Sequence, residues 1–269
     1  TGFDYTIRNY GTLTLNNCDT ANGIINTYSF TFLCYNNSVL YGNAAIYSPM
    51  EVKGRSKISG CTFNNDISCT ANSEITGGTF LNRTYIHNSV VISGGTFNQE
   101  VKVFDSGVIA GGYFSKAISA YNEKFIRGGY FKTKPDDSYI DDGYVITDSG
   151  DTNYPYRVVM PHTCNGVTYD KPLDSSFTGG TLASGNYYLT EDITLASIIQ
   201  INAGSDVKIC LNGKSISGHY VENYGALTLN NCNAANGKLN NYYFGYGNSE
   251  LYGNAVISST NISLIEGNS

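Results

Sequence analysis

The residues best suited to chemistry in this chain are few and scattered. The densest acidic set is Asp136, Asp137, Asp141 and Asp142, which lie close together in the chain. Hard cations such as calcium take several carboxylate oxygens, and glycoside hydrolysis needs two carboxyl groups about 5–9.5 Å apart. These four aspartates are therefore the only calcium candidates, although Asp in a polar, Pro-containing stretch usually serves turns. His162 and Cys164 form an HTC triplet of the types used in Cys–His nucleophiles, but that chemistry needs a third, orienting group. The three histidines, His87, His162 and His219, are far apart. No C-x-x-C pair occurs among the seven cysteines. Spacing thus suggests neither a zinc site nor a catalytic set, and no cofactor is expected.

The elements that would position any such residues are set by a repeat. Between Ile58 and Phe131 the chain reads ISGCTF, ITGGTF, ISGGTF, IAGGYF and IRGGYF, with a constant 17-residue period. The repeat aligns Ile58, Ile75, Ile92, Ile109 and Ile126, and likewise Phe63, Phe80, Phe97, Phe114 and Phe131. Fixed-period self-similarity marks a solenoid, because one short unit cannot bury a core alone. Between motifs, apolar and polar residues alternate, as in Val101 and Val103 against Glu100 and Lys102, which indicates strands with one buried face. The same inward slots hold Ile67 and Cys69, Thr84 and Ile86, then Ile118 and Ala120. The glycine pairs, Gly77-Gly78 through Gly128-Gly129 with Gly60-Cys61 in the first copy, are expected to turn corners. Polar corners are expected at Asn72-Ser73, Asn88-Ser89 and Asp105-Ser106. The chain is thus predicted to be all-β, a parallel β-helix with short 17-residue coils in its centre. Coils stacked about 4.8 Å apart would turn the Ile and Phe columns into internal ladders.

The outward columns carry little chemistry. Asp66, Arg83, Glu100 and Ala117 offer no stacked carboxylate pair. Thr62, Thr79 and Thr96 give way to Tyr113 and Tyr130, too short a threonine array to order water. Arg127 and Lys116 read as solvated cations. Tyr85, Tyr113, Tyr130, Tyr242 and Tyr243 have flat faces that suit packing, or stacking on sugars.

Composition narrows the class further. Only 14% of the 269 residues are charged and the net charge is −6, so there is no basic surface to neutralise nucleic-acid phosphates. No apolar run approaches the roughly 18 residues of a membrane-spanning helix, and no signal peptide is visible. An odd number of cysteines leaves at least one without an intrachain partner. Cys210 and Cys232, about one coil apart, form the disulfide candidate; the other cysteines read as small buried hydrophobes.

Three segments are predicted. Residues 1–131 form a first β-helix segment. Residues 132–186 contain four of the five prolines and form a terminating hairpin, YVITD and YRVVM around SGDTNYP, followed by a connector. Residues 187–269 begin a second β-helix segment. A longer repeat links the outer segments: NYGTLTLNNCDTANG from Asn9 and NYGALTLNNCNAANG from Asn223 match at 12 of 15 positions. LYGNAAIYS from Leu40 then matches LYGNAVISS from Leu251, so the repeat spans 9–48 and 223–258. The opening residues TGFDYTIRNYG already read as strand, and neither end shows a polar cap. The step from Asn9 to Asn223 leads to the expectation of a window cut from a tandem array, with units of about 214 residues.

DVKICLNGKSISG at Asp206 to Gly218, ENYGALTLNNC after it, and the ISGGTF series resemble the right-handed parallel β-helix segments of large repetitive bacterial cell-surface proteins, within the broad pectate-lyase-like superfold. GGYFKTKPDDSYIDDGYVIT resembles their terminating segment, and HTCNGVTYDKPLDSS with GGTLASGNYYLTEDITL resembles their linker. The resemblance implies right-handed coils, a secreted cell-surface setting, and a stalk, fibre or adhesin. It brings no catalytic motif. The expected partners are the chain itself, by end-to-end stacking within or between chains, and surface glycans. The alternative is a polysaccharide lyase, glycoside hydrolase or glycan-binding module.

Overall fold

The computed structural model describes residues 7–15, 24–25, 32–232, 237–246, 250–258 and 262–265. Cys18 lies outside them. The described residues are almost entirely strand and turn, with one 3-10 turn at Asp137–Tyr139. The chain divides into two compact units at Met160/Pro161, inside the stretch 132–186.

The first unit is a parallel β-solenoid. Its 17-residue step is visible in the pairing, where Thr79 lies opposite Thr96, Thr96 opposite Tyr113 and Tyr113 opposite Tyr130. On another face Ile67–Cys69, Thr84–Ile86, Val101–Val103 and Ile118–Ala120 pair in parallel, in the order of the chain. Period-2 alternation holds: Val101 and Val103 are buried while Lys102 between them is half-buried.

The predicted ladders form the core. Ile58, Ile75, Ile92, Ile109 and Ile126 are fully buried, and the five phenylalanines are each 1% exposed. Successive Phe rings from Phe63 to Phe131 stack at 4.8, 4.6, 4.9 and 4.9 Å, with their planes within 12°. That spacing is the strand spacing, so one backbone step positions each ring directly over the last. The glycine corner makes room for this. Gly112 has φ +104, and a Cβ there would lie 3.2 Å from the Gly95 carbonyl oxygen and 3.3 Å from both the Phe97 and Phe114 rings. Only glycine combines that backbone angle with so close an approach.

The stack ends where the sequence loses its rhythm. Val145–Asp148 and Tyr156–Val159 form the expected antiparallel hairpin. Tyr156–Val159 also pairs antiparallel with Gly129–Phe131, the last strand of the ladder sheet. It takes the edge hydrogen bonds that another parallel coil would have used. Arg157 lies over the Tyr130 ring at 4.8 Å, and Tyr154 meets the Tyr113 ring edge-on at 5.3 Å.

The second unit contains a solenoid with three parallel sheets. Gly185–Leu189, Asp206–Cys210, Ala226–Asn230 and Glu250–Gly253 build one of them. Its coils are longer than those of the first unit and unequal: Ile209 lies opposite Leu229, whereas Leu227 lies opposite Leu251. The strands expected from residue 187 onward form. The solenoid nonetheless begins earlier, because Lys171–Leu173 pairs with Tyr187–Leu189 and Gly180–Leu182 with Ile199–Ile201. Leucine, isoleucine and valine fill this core, with Tyr187 and Tyr243. A small separate cluster of Cys164, Tyr169, Tyr188 and Cys210 lies apart from it.

Candidate metal centre

Asp136, Asp137, Asp141 and Asp142 do not bring their carboxylates together into one group of metal-ligand atoms. Asp136 caps the 3-10 turn by accepting from the Ser138 backbone N–H at 2.9 Å. Asp137 pairs with Lys134 at 2.9 Å, Asp141 with Arg127 Nε at 2.5 Å and Asp142 with Lys124 at 2.9 Å. Each carboxylate is thus committed to a turn or a separate cation. Arg127, beside Asp141, holds that carboxyl below its usual range, helped by the Asp142 backbone N–H. The outward residues Asp66 and Glu100 are engaged as well, Asp66 accepting from the Arg83 N–H and Glu100 from the Ser119 hydroxyl. Tyr113 stacks on Tyr130 at 4.8 Å, and Tyr113 is 40% exposed. The Tyr242-Tyr243 pair is split by strand alternation, Tyr242 facing out and Tyr243 buried.

A different set of residues converges. His162 Nε2, Cys164 Sγ, Cys210 Sγ and Cys232 Sγ lie within 4.8 Å of one another, the one group of this kind among the described residues. The absence of C-x-x-C spacing and the scattered histidines suggested no such cluster, and the structure corrects that expectation. The reason lies in solenoid geometry. Residues one coil apart become neighbours, so local spacing along the chain is not required.

Two elements build the group. The first is a tight hairpin, His162–Cys164 antiparallel to Val167–Tyr169. Asn165 and Gly166 link the strands with φ of +51 and +77, the two positive angles of a type I′ turn that Asn-Gly favours. Strand alternation puts His162 and Cys164 on one face. The second element is a pair of successive coils. Asp206–Cys210 ends on the first thiol, and Ala226–Asn230, whose Asn230 lies opposite Cys210, is followed closely by Cys232.

His162 Nε2 is 3.1 Å from Cys232 Sγ and 3.3 Å from Cys210 Sγ, and the two sulfurs are 3.8 Å apart. The disulfide candidate is therefore juxtaposed, with both cysteines present as free thiols. Cys164 and Cys210 are buried, and Cys232 is exposed. Backbone N–H groups of Asn212 and Cys232 are directed at Cys210 Sγ. Cys232 Sγ also lies 3.8 Å from Asn212 Oδ1. The His162 ring stacks on Tyr188 at 5.5 Å, and the neighbouring Tyr169 hydroxyl accepts from Asn230 Nδ2.

Burial dominates the electrostatics. It pushes the Cys164 and Cys210 thiols up and holds the His162 pKa below its ordinary value. A buried thiol is a poor nucleophile, which weighs against the Cys–His reading of the HTC triplet. Three sulfurs and one imidazole nitrogen suit a soft tetrahedral cation.

Comparison with protein-family models, curated proteins and solved structures found no match to this chain. Among the described residues, no helix is long and apolar enough to cross a membrane.

Proposed function

We propose that the chain is part of an extracellular structural or adhesive protein made of tandem β-helical units, each as long as the step from Asn9 to Asn223, displayed on a bacterial surface as a stalk or fibre. The observation that supports this most is the register of the long repeat. Thr12–Leu15 pairs with Val39–Gly42, with Leu13 opposite Leu40 and Leu15 opposite Gly42. Ala226–Asn230 pairs with Glu250–Gly253, with Leu227 opposite Leu251 and Leu229 opposite Gly253. Gly42 and Gly253 have φ of +123 and +128, and at each a Cβ would run into the carbonyl oxygen of the facing leucine. The two copies therefore share pairing and corner geometry as well as sequence, although the second is slightly shorter between its blocks.

Repetition at this level suits a mechanical role. Stability sums over neighbouring interfaces, so length grows by adding units without redesigning a core. End-to-end association would have to use an edge other than the one that Tyr156–Val159 closes. Exposed Tyr113, Tyr121 and Tyr242 offer flat faces on which surface glycans would stack. The clustered carboxylates of Asp136, Asp137, Asp141 and Asp142, in contrast, are committed to a turn or to ion pairs, which disfavours lyase or hydrolase chemistry there.

The test is electron microscopy of the intact polypeptide from its source, together with protease shaving of whole cells. Elongated particles whose length scales with the number of 214-residue units, and peptides released from intact cells, are expected. Release of reducing sugar or unsaturated uronate from a polysaccharide panel, abolished by Asp141→Asn, would overturn the reading in favour of an enzyme.

A further inference from the structure

We infer that His162, Cys164, Cys210 and Cys232 bind one zinc ion, which fastens the Asn165–Gly166 hairpin to two successive coils of the second unit. The inference is independent of the adhesive role.

The argument begins with distance. A tetrahedral zinc with Zn–S bonds of about 2.3 Å and a Zn–N bond of about 2.0 Å holds sulfurs about 3.8 Å apart, and sulfur and nitrogen about 3.5 Å apart. Cys210 and Cys232 sulfurs stand at 3.8 Å, and His162 Nε2 stands 3.1 and 3.3 Å from them. All four ligand atoms fall within 4.8 Å. Seating the ion asks His162 Nε2 to draw back by a few tenths of an ångström and Cys164 Sγ, which stands no more than 4.8 Å from the other three ligand atoms, to close in on them.

Ligand type gives the second line of argument. Three cysteines and one histidine form a set typical of structural zinc, and four protein ligands leave no open position for a substrate. Binding is not a redox step. A hydrated zinc ion displaces one proton from each of three thiols, loses its waters and becomes a complex of charge −1, with His162 neutral throughout.

The surroundings provide the third. The Asn212 and Cys232 backbone N–H groups aimed at Cys210 Sγ stabilise a metal-bound thiolate, whose negative charge they partly neutralise. A Cys210–Cys232 disulfide would make little use of these donors. It would also leave His162 and the buried Cys164 directed at a site with no role for them. The cluster joins segments far apart in the chain, Cys164 to Cys210 and Cys210 to Cys232 across one coil. A bond there stabilises the folded state most where the hairpin has few other apolar contacts, and only Val167 is a partly buried addition to its small core.

The experiment uses the whole 269-residue chain, purified with reductant and desalted after incubation with zinc, with the metal counted by mass spectrometry. One zinc per chain is expected, together with the intense visible bands of a tetrahedral thiolate complex when cobalt replaces zinc. Cys164→Ser and Cys232→Ser should each abolish stoichiometric zinc and change the cobalt spectrum. Cys61→Gly, in the first unit, should leave both unchanged. Because Cys232 is exposed, its serine variant is the one expected to stay folded, and circular dichroism checks this. A folded wild-type chain that retains no zinc, or a cobalt spectrum of octahedral type, overturns the proposal. So does a native Cys210–Cys232 disulfide whose reduction yields no zinc binding; reduction that restores one zinc supports it.

Discussion

Cys210 and Cys232 are 22 residues apart in the chain and 3.8 Å apart at their sulfurs. The gap is one turn of the second solenoid, closed by the parallel pairing of Asp206–Cys210 with Ala226–Asn230. Coil geometry therefore creates a close side-chain pair, and the Asn-Gly hairpin brings His162 and Cys164 to the same point.

Metal removal should loosen the second unit selectively. A ligand bound only by the folded state adds about 4 kcal/mol when free zinc is about a thousandfold above its dissociation constant. Titration with a strong chelator is expected to lower the melting transition of the second unit and to raise hydrogen exchange in His162–Cys164 and Val167–Tyr169. Exchange in the Phe-ladder strands should not change.

The Phe ladder should tolerate loss of an inner rung poorly. Phe97 is 1% exposed and stacks on Phe80 at 4.6 Å and on Phe114 at 4.9 Å. Phe97→Ala removes a ring packed on both faces and is expected to cost about 3–5 kcal/mol in urea unfolding of the first unit. Phe97→Leu should cost less, because it leaves a smaller cavity. Equal losses for the two would argue that stacking matters more than volume.

Thr84 is a point of frustration in the same core. It is fully buried in the column with Ile67 and Val101, and its hydroxyl oxygen has no hydrogen-bond partner. Thr84→Val keeps the shape and removes the unsatisfied group, so a gain of about 1 kcal/mol is expected in the same unfolding assay.

Acid should weaken the terminating segment through Asp141. Arg127 and the Asp142 N–H depress its carboxyl in the folded state. A depressed carboxylate contributes stability above its unfolded pKa and loses it as pH falls through the folded value. The pair lies at the surface, so the contribution is a few tenths of a kcal/mol. Asp141→Asn should lower the melting temperature slightly at neutral pH, and the difference from wild type should vanish well below pH 3.8. A difference that persists in acid would assign the effect to packing.

Much of the fold was legible because a parallel solenoid repeats one local environment. The Ile58 and Phe63 series revealed the coil length, the buried face and the ladders, since identical residues at a fixed step must stack if each step is one coil. YVITD and YRVVM indicated the terminating hairpin through alternation around a turn. Thr84 shows the limit of such reading: its slot was recognisable as inward, but a hydroxyl left without a partner there is visible only in the folded chain. The four aspartates illustrate the reverse. They are close in sequence, and the fold separates them by giving Asp137, Asp141 and Asp142 one cation each.

Two signals of the cluster lay in the chain: the spacing of Cys210 and Cys232 by about one coil, and the Asn-Gly turn that follows the HTC triplet. Neither says where the hairpin docks. The sequence by itself determined the strands, the 17-residue coil and the inward ladders, because these depend on local alternation and a fixed period. Only the tertiary structure decided that His162 and Cys164 meet Cys210 and Cys232. That meeting depends on the coil that sets Cys210 opposite Asn230, and on the path of one hairpin. No local pattern encodes either.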